Sequence, residues 1–129
     1  MSAKTRRLLL WAAATDRTFE VRRKGPTQQR ILYGKCIHCN KRHEISMDGA
    51  PLTHATVEHI LPKHHGGTDE LHNIAIACAR CNALKGTRHD CCSMDDPTLQ
   101  KVIKTLRNRR TKRWRKPPTW LSLPPSPAV

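Results

Sequence analysis

Aromatic residues, acidic residues and long apolar runs are all scarce in this chain of 129 residues. Aromatic side chains make up 4% and hydrophobic residues 37%, so we expect one domain with a small core. The main apolar run, residues 8–14, is too short to cross a bilayer, and no secretory cleavage site follows it. The sequence therefore predicts a small domain outside the membrane that needs a metal, disulfides or a partner for stability.

Basic residues are in large excess over acidic ones. Lys and Arg total 24 against 10 Asp and Glu, which gives a formal net charge of +14. Phosphate contacts by Lys and Arg supply most non-specific affinity for nucleic acid, so a polyanionic partner is the simplest explanation. Solubility and attraction to a membrane surface are the alternatives, but no stretch combines basic and bulky aromatic faces. The charge therefore predicts a nucleic acid, and no membrane, as partner.

Four of the six cysteines form two Cys-x-x-Cys pairs, Cys36 with Cys39 and Cys78 with Cys81. Two such pairs can hold one tetrahedral Zn(II), whereas a redox dithiol would need only one pair in a βαβ setting. An expected reducing environment also favours metal over disulfides. The pattern therefore predicts a structural zinc that closes the intervening chain into a loop, with no role for Cys91-Cys92.

The chain between the two cysteine pairs has the pattern of two strands and a helix. Residues 54–59 suit a short strand, and Pro62 begins a wide loop that regular structure cannot cross. Residues 73–77 alternate as a second strand, and residues 79–85 begin a helix that Gly86 is expected to end.

The same segment carries an ordered set of motif residues. In sequence order these are Glu58-His59-Ile60-x-Pro62, Gly66-Gly67, Asn73 and Cys78-x-x-Cys81-Asn82-x-x-Lys85-Gly86. Over residues 36–88 this pattern resembles the HNH endonuclease family. The resemblance implies a small α+β fold: a ββα-metal finger with a structural zinc knuckle, flanked by basic helical or extended arms.

The resemblance also implies a role for each motif residue. His59 takes the position of the general base, and Glu58 and Asn82 take the positions that bind a catalytic divalent metal, Mg(II) or Mn(II). Asn73 is the central asparagine that braces the loop and orients the histidine, and Lys85 is a phosphate contact.

Two positions depart from the usual family pattern. Many relatives have Asp where this chain has Glu58, whose longer side chain loosens the metal geometry. Asn82 stands where the final histidine of the motif is usual. Because an amide oxygen is a neutral hard ligand, it favours Mg(II) over Zn(II) or Ni(II).

The remaining histidines are interpreted as ordinary polar residues. His64, His65 and His72 lie in the loop and are assigned no catalytic role. His38 and His43 could replace a cysteine at the zinc, but four cysteines suffice.

A basic amphipathic helix is predicted over residues 93–116. Asp96 is a suitable N-cap with Pro97 at the first helical position, and the apolar residues 99–106 form a packing stripe. No acidic residue follows Asp96, and Trp114 could stack on bases, so we interpret this helix as a nucleic-acid contact rather than a solvated face. The predicted contacts are Lys101, Lys104, Arg107, Arg109, Arg110, Lys112 and Arg113.

The sequence thus divides into four predicted parts. Residues 1–30 form a basic arm with a short helix near residues 6–14, and residues 31–92 form the zinc-stapled nuclease domain. The helix of residues 93–116 follows, and the proline-rich tail of residues 117–129 is expected to be disordered.

The function predicted from these features is a metal-dependent endonuclease that nicks or cuts DNA. A non-catalytic zinc-binding module that holds nucleic acid, or a structural or regulatory subunit, would share the cysteines and the charge. The pattern is compatible with a homodimer and with part of a larger phage or restriction complex. The predicted location is the cytoplasm of a prokaryotic or phage-infected cell.

Overall fold

The computed structural model, which describes residues 2–127, has one N-terminal helix, then five antiparallel strands and then two further α-helices. In chain order the elements are α1 (Ala3–Ala14), β1 (Glu20–Lys24), β2 (Gln29–Lys35), β3 (Arg42–Ser46), β4 (Ala55–His59), β5 (Ile74–Cys78), α2 (Ala79–Lys85) and α3 (Pro97–Arg113). Strands β1, β2 and β3 form one sheet, and β4 and β5 form another. The predicted small α+β fold is confirmed.

The N-terminal segment is part of the core and not the predicted arm. Helix α1 is capped by Ser2, whose Oγ accepts a hydrogen bond from the backbone N–H of Thr5 at 3.1 Å. The consecutive residues Leu8, Leu9 and Leu10 are all buried in one cluster with residues of both sheets. The apolar run of residues 8–14 therefore covers the strands, because burial of its leucines adds apolar area to a small core.

The three-stranded sheet occupies a region for which the sequence analysis predicted no strand. Strands β1 and β2 form a hairpin whose turn contains Gly25 and Gln28, both at positive φ. Val21, Leu32 and Ile45 lie side by side across the three strands and pack on the core below α1. The hairpin begins at Glu20, so the ordered domain starts well before residue 31.

Strand β5 is buried on both faces and joins the two halves of the core. Ile74 and Ile76 belong to the cluster beneath α1, whereas Ala75 and Ala77 belong to the cluster beneath α3. It pairs with β4 in the register that sets His59 opposite Ile74. The predicted strand, loop, strand and helix are confirmed over this region.

Gly86 was predicted to end helix α2, but the chain stays helical beyond it. Gly86 keeps right-handed helical angles, and the chain continues through a π-helical turn over Gly86–Asp90. A wide turn of this kind swings Asp90 back toward the beginning of the loop, where its carbonyl oxygen accepts a hydrogen bond from His64 Nε2 at 2.7 Å.

Helix α3 spans Pro97–Arg113 and is therefore shorter at both ends than the predicted 93–116, but Asp96 is its N-cap and Pro97 lies in its first turn, as predicted. Asp96 Oδ1 accepts hydrogen bonds from the N–H groups of Thr98 and Leu99 at 2.8 and 3.0 Å. None of the helices in residues 2–127 combines the length and the apolar character that crossing a membrane requires.

The described part of the proline-rich tail packs against α1. Trp11 Nε1 donates to the carbonyl oxygen of Pro124 at 2.9 Å, and Leu121 is buried. The predicted disorder therefore does not apply to residues 117–127, and residues 128–129 lie outside the described residues.

Candidate active site

Four thiols converge where the turn after β2 meets the start of α2. The Sγ atoms of Cys36, Cys39, Cys78 and Cys81 all lie within 4.8 Å of one another, and those of Cys39 and Cys78 are 3.5 Å apart. Tetrahedral zinc with Zn–S bonds of about 2.3 Å sets its sulfur atoms roughly 3.8 Å apart. The cluster therefore fits a structural zinc, as the two cysteine pairs predicted.

Burial and neighbouring groups shift the pKa values of these thiols in different directions. A hydrogen bond from the backbone of Lys41 lowers the pKa of Cys39 to about 7. Burial raises the pKa of Cys78, and burial with the neighbouring thiols raises the pKa of Cys81 to about 11. Several thiolates can share this volume only with a positive charge among them, which is what zinc provides.

Donors around the cluster also orient the sulfur atoms. Cys36 Sγ accepts hydrogen bonds from the N–H groups of His38 and Cys78, both at 3.3 Å. The buried ring of His43 contacts Cys78 Sγ through Nε2 at 3.0 Å, and its Nδ1 meets Thr53 Oγ1 at 2.7 Å. His43 is thus an outer partner of the cysteine cluster.

A cleft of about 580 Å³ lies between the end of β4, the following loop and α2. Its lining contains Glu58, His59, Lys63, Asn82 and Asp90. The predicted base His59 and the two predicted metal ligands, Glu58 and Asn82, therefore share one cavity, although a loop, a strand and half a helix separate them in the chain.

Glu58 is almost fully enclosed, with 1% of its surface exposed. Its Oε1 contacts His38 Nε2, and its Oε2 lies 3.4 Å from Lys85 Nζ. His38 belongs to the first cysteine pair, so an imidazole from the knuckle reaches the carboxylate at the cleft. This contact of His38 was not predicted, since nothing in the sequence around His38 indicates a contact with Glu58.

The predicted role of Lys85 as a phosphate contact does not fit its position in the structure. It is 3% exposed, and its Nζ donates to both carboxylate oxygens of Asp90 at 2.7 and 2.9 Å and to the carbonyl oxygen of His59 at 3.2 Å. The ammonium joins Glu58, Asp90 and the end of β4 from inside. Because a buried charge needs such partners, Lys85 organises the cleft and does not face a ligand.

His59 ends β4 and is held by a residue outside the motif. Its Nε2 donates to Asp69 Oδ1 at 2.8 Å. Burial opposes the ionisation of Asp69, but the hydrogen bonds from His59 and Lys63 outweigh it and lower the pKa of Asp69 to about 2. The imidazole therefore faces an ionised carboxylate at neutral pH.

Asn73 braces the loop, and its side chain forms hydrogen bonds with Leu61 and Thr68 and not with His59. Its Oδ1 accepts from the N–H of Leu61 at 2.8 Å, and its Nδ2 donates to the carbonyl oxygens of Leu61 and Thr68 at 3.1 and 2.8 Å. A Cβ on Gly67 would lie 1.8 Å from the carbonyl oxygen of Leu61, so only glycine fits there. These contacts close the loop that carries Asp69.

Asn82 projects from α2 with its amide group fixed. Its Nδ2 donates to the carbonyl oxygen of Val57 at 2.8 Å and to Thr56 Oγ1 at 3.2 Å. This leaves the amide oxygen as the hard donor atom that Asn82 offers at the cleft.

The basic residues of α3 separate into two groups. Lys101, Lys104, Arg107 and Lys112 are exposed. Arg110 and Arg113 are only 1% and 8% exposed. Arg109 is half-buried and donates to the carbonyl oxygens of Ile37 and His38 at 2.7 and 3.1 Å.

The assignment of Arg110 and Arg113 to nucleic-acid contact does not fit this structure. Arg110 donates to the carbonyl oxygens of Thr15 and Leu71 at 2.9 and 3.0 Å, and Arg113 donates to that of Cys36 at 3.2 Å. Their guanidinium groups form hydrogen bonds inside the protein and do not face solvent.

Comparison with known proteins bears on the segment that contains the cysteine cluster and the cleft. The model of the HNH endonuclease family matches residues 36–88. This match confirms, over residues 36–88, the resemblance seen in the motif. No curated protein and no solved structure matches the chain significantly.

Proposed function

We propose that this protein is a metal-dependent DNA endonuclease with His59 as its general base. The family match supports nuclease activity in general. The observation that carries the specific proposal is the shared cleft, in which His59 stands beside Glu58 and the amide of Asn82. A base next to hard oxygen donors is the arrangement that phosphodiester hydrolysis needs.

The protein side of the reaction follows from the contacts of His59. The imidazole, fixed at the end of β4, accepts the proton of the attacking water while the cleft holds the scissile phosphate. Asn73 keeps the loop closed around the histidine through its bonds to Leu61 and Thr68. Rigid positioning of this kind supplies a large part of the rate enhancement in hydrolytic enzymes.

Glu58 and Asn82 are the residues that would hold the catalytic metal. Carboxylate and amide oxygens suit Mg²⁺ or Mn²⁺, and Asp90 adds a second carboxylate to the same cleft. A divalent metal there would stabilise the charge that develops on the phosphate and the leaving oxygen. Lys85 supplies one positive charge to the two carboxylates, which offsets part of their charge and leaves a negative balance for a divalent cation.

DNA is the proposed substrate because exposed cations continue beyond the cleft. The solvent-facing residues of α3 that would track the phosphate backbone are Lys101, Lys104, Arg107 and Lys112. Contacts of this kind position DNA without reading its sequence. The homodimer, the phage or restriction setting and the cytoplasmic location stay predictions from the sequence.

A non-catalytic nucleic-acid-binding module is the second candidate, and one observation favours it. Both oxygens of the buried Glu58 carboxylate already meet protein partners, His38 and Lys85. Such a carboxylate could serve only to stabilise the domain. The two functions differ in whether the purified protein cuts DNA.

The test compares His59→Ala with the matched variant His54→Ala on supercoiled plasmid in Mg²⁺ or Mn²⁺. His54 is an exposed imidazole immediately before the same strand and outside the cleft. We expect His59→Ala to lose at least about 100-fold in cleavage rate, since a general base contributes on the order of 10²–10⁴. His54→Ala should cut at the parent rate.

Two results would contradict the proposal. Equal cleavage by His59→Ala and the parent would remove His59 from the chemistry. A parent protein that binds plasmid but cuts it in neither metal would favour the non-catalytic module.

A further inference from the structure

The loop after β4 carries a carboxylate that none of the motif positions includes. Asp69 lies ten residues after His59, and its Oδ1 accepts the hydrogen bond from His59 Nε2 at 2.8 Å. Both side chains are mostly buried, with 20% and 17% of the side-chain surface exposed. A bond between two such shielded groups restricts ring rotation far more than a surface contact would.

We infer that Asp69 is the positioning residue for His59, which fixes the ring orientation and the tautomer of the proposed general base. This inference rests on the proposed function and deepens it. An ionised carboxylate can accept hydrogen bonds but has no proton to donate. The proton of a neutral His59 ring must therefore sit on Nε2. The lone pair is then on Nδ1, and no residue in the described range 2–127 hydrogen-bonds that atom.

The position of Asn73 strengthens the assignment to Asp69. The family resemblance gave the orienting role to Asn73, yet the side chain of Asn73 is fully engaged with Leu61 and Thr68. Thr68 directly precedes Asp69. Asn73 therefore holds the loop, and the loop presents Asp69 to the ring.

Two lysines hold Asp69 in its ionised form. Lys63 Nζ lies 3.2 Å from Oδ1, and Lys4 Nζ lies 3.4 Å from Oδ2. Lys4 is in the first turn of α1, outside the segment that matches the family. Helix α1 thus contributes to the surroundings of the proposed base, although it is distant in sequence.

The kinetic test uses Asp69→Ala, Asp69→Asn and Glu70→Ala on supercoiled plasmid. We expect Asp69→Ala to lower kcat on the order of 100-fold while KM changes less than about twofold, because misplacing a reacting group by about 1 Å costs that much. Asp69→Asn keeps an acceptor oxygen and should recover at least about tenfold of the loss. Glu70 is the adjacent exposed carboxylate, so Glu70→Ala matches the charge change and should retain the parent kcat.

The second readout is the ¹⁵N NMR signature of the His59 ring in the zinc-loaded protein without catalytic metal. We expect the parent to show the Nε2–H tautomer and Asp69→Ala to show a mixture. Parent-like kcat and an unchanged tautomer in Asp69→Ala would overturn the inference. Cleavage by His59→Ala at the parent rate would instead overturn the proposed function, and the NMR comparison would still test the bond to Asp69.

Discussion

Two parts of this molecule hold distant segments together by different chemistry. At the cysteine cluster, four thiols from two short turns meet within 4.8 Å. In the last part of α3, Arg109, Arg110 and Arg113 lie within little more than one turn, and their guanidinium groups bind carbonyl oxygens of the knuckle, of the end of α1 and of the loop before β5.

The comparison shows why the two were predicted with unequal success. A zinc site is indicated by residue type and local spacing, since two pairs of thiols, each pair three positions apart, can share one ion. A guanidinium that donates to a carbonyl leaves no pattern around its partner. Thr15, for example, is 95 residues from the Arg110 that binds it. In a basic sequence, an arginine that binds an interior carbonyl group cannot be distinguished from one that is exposed to solvent.

Loss of the zinc cluster should have the largest effect on the molecule. We expect Cys39→Ser, or a strong chelator, to abolish cooperative folding of the residue 36–88 region, because binding of structural zinc is itself a large part of the folding free energy in small domains. Metal analysis should find one zinc per parent chain, and thermal unfolding followed by circular dichroism should show the loss.

Cys91→Ser is the matched control for this experiment. Cys91 is exposed like Cys39 but lies outside the cluster. It should keep the zinc and the parent unfolding midpoint. A cooperative, parent-like transition in Cys39→Ser without zinc would show that the core alone holds this region.

The central segment was predictable because its features are local. The strand ending at His59, the break at Pro62 and the helix after Cys78 follow from residue order alone. Asp69 could have been noticed only as a carboxylate in the same loop as the histidine. Its bond to His59 depends on how the loop closes, which Asn73 and Gly67 determine in three dimensions.

The flanking segments were harder because their signals were weak or shared. Gly25-Pro26 indicated a break, but the flanking strands are so basic that they resembled an arm. Arg110 and Arg113 occur in a run of cations in which burial is invisible. An apolar stripe around Leu99, Ile103 and Leu106 indicated the buried face, and Arg110 and Arg113 continue it at helical spacing.

Arg110→Met should give the second-largest effect, now on stability. It removes the donors to the Thr15 hydroxyl and to the half-buried carbonyl of Leu71, while the carbonyl of Thr15 keeps only the N–H of Arg115. Burial lowers the pKa of Arg110 to about 10, so the lost group is a cation at neutral pH. We expect the free energy of unfolding to fall by about 3 kcal/mol, measured by urea denaturation.

Arg107→Met is the control one turn earlier on the same helix. Arg107 is exposed, so its loss should change the free energy of unfolding by less than about 0.5 kcal/mol. Equal stability losses in the two variants would erase the distinction between the buried and exposed cations of α3.

The smallest expected effect is on DNA affinity, and it separates the surface of α3 from the rest of the basic chain. The double variant Lys104→Gln with Arg107→Gln removes two exposed cations while leaving the buried Arg110 in place. If each contacts one phosphate, the slope of log K against log salt should become shallower by about 1.8, since each contact contributes about 0.9. Fluorescence anisotropy with a short duplex, from low to moderate salt, measures this slope.

The comparison is Arg23→Gln, which removes an exposed cation on β1 and should leave the slope unchanged. A shallower slope in Arg23→Gln and a parent slope in the double variant would place the DNA on the three-stranded sheet instead of α3.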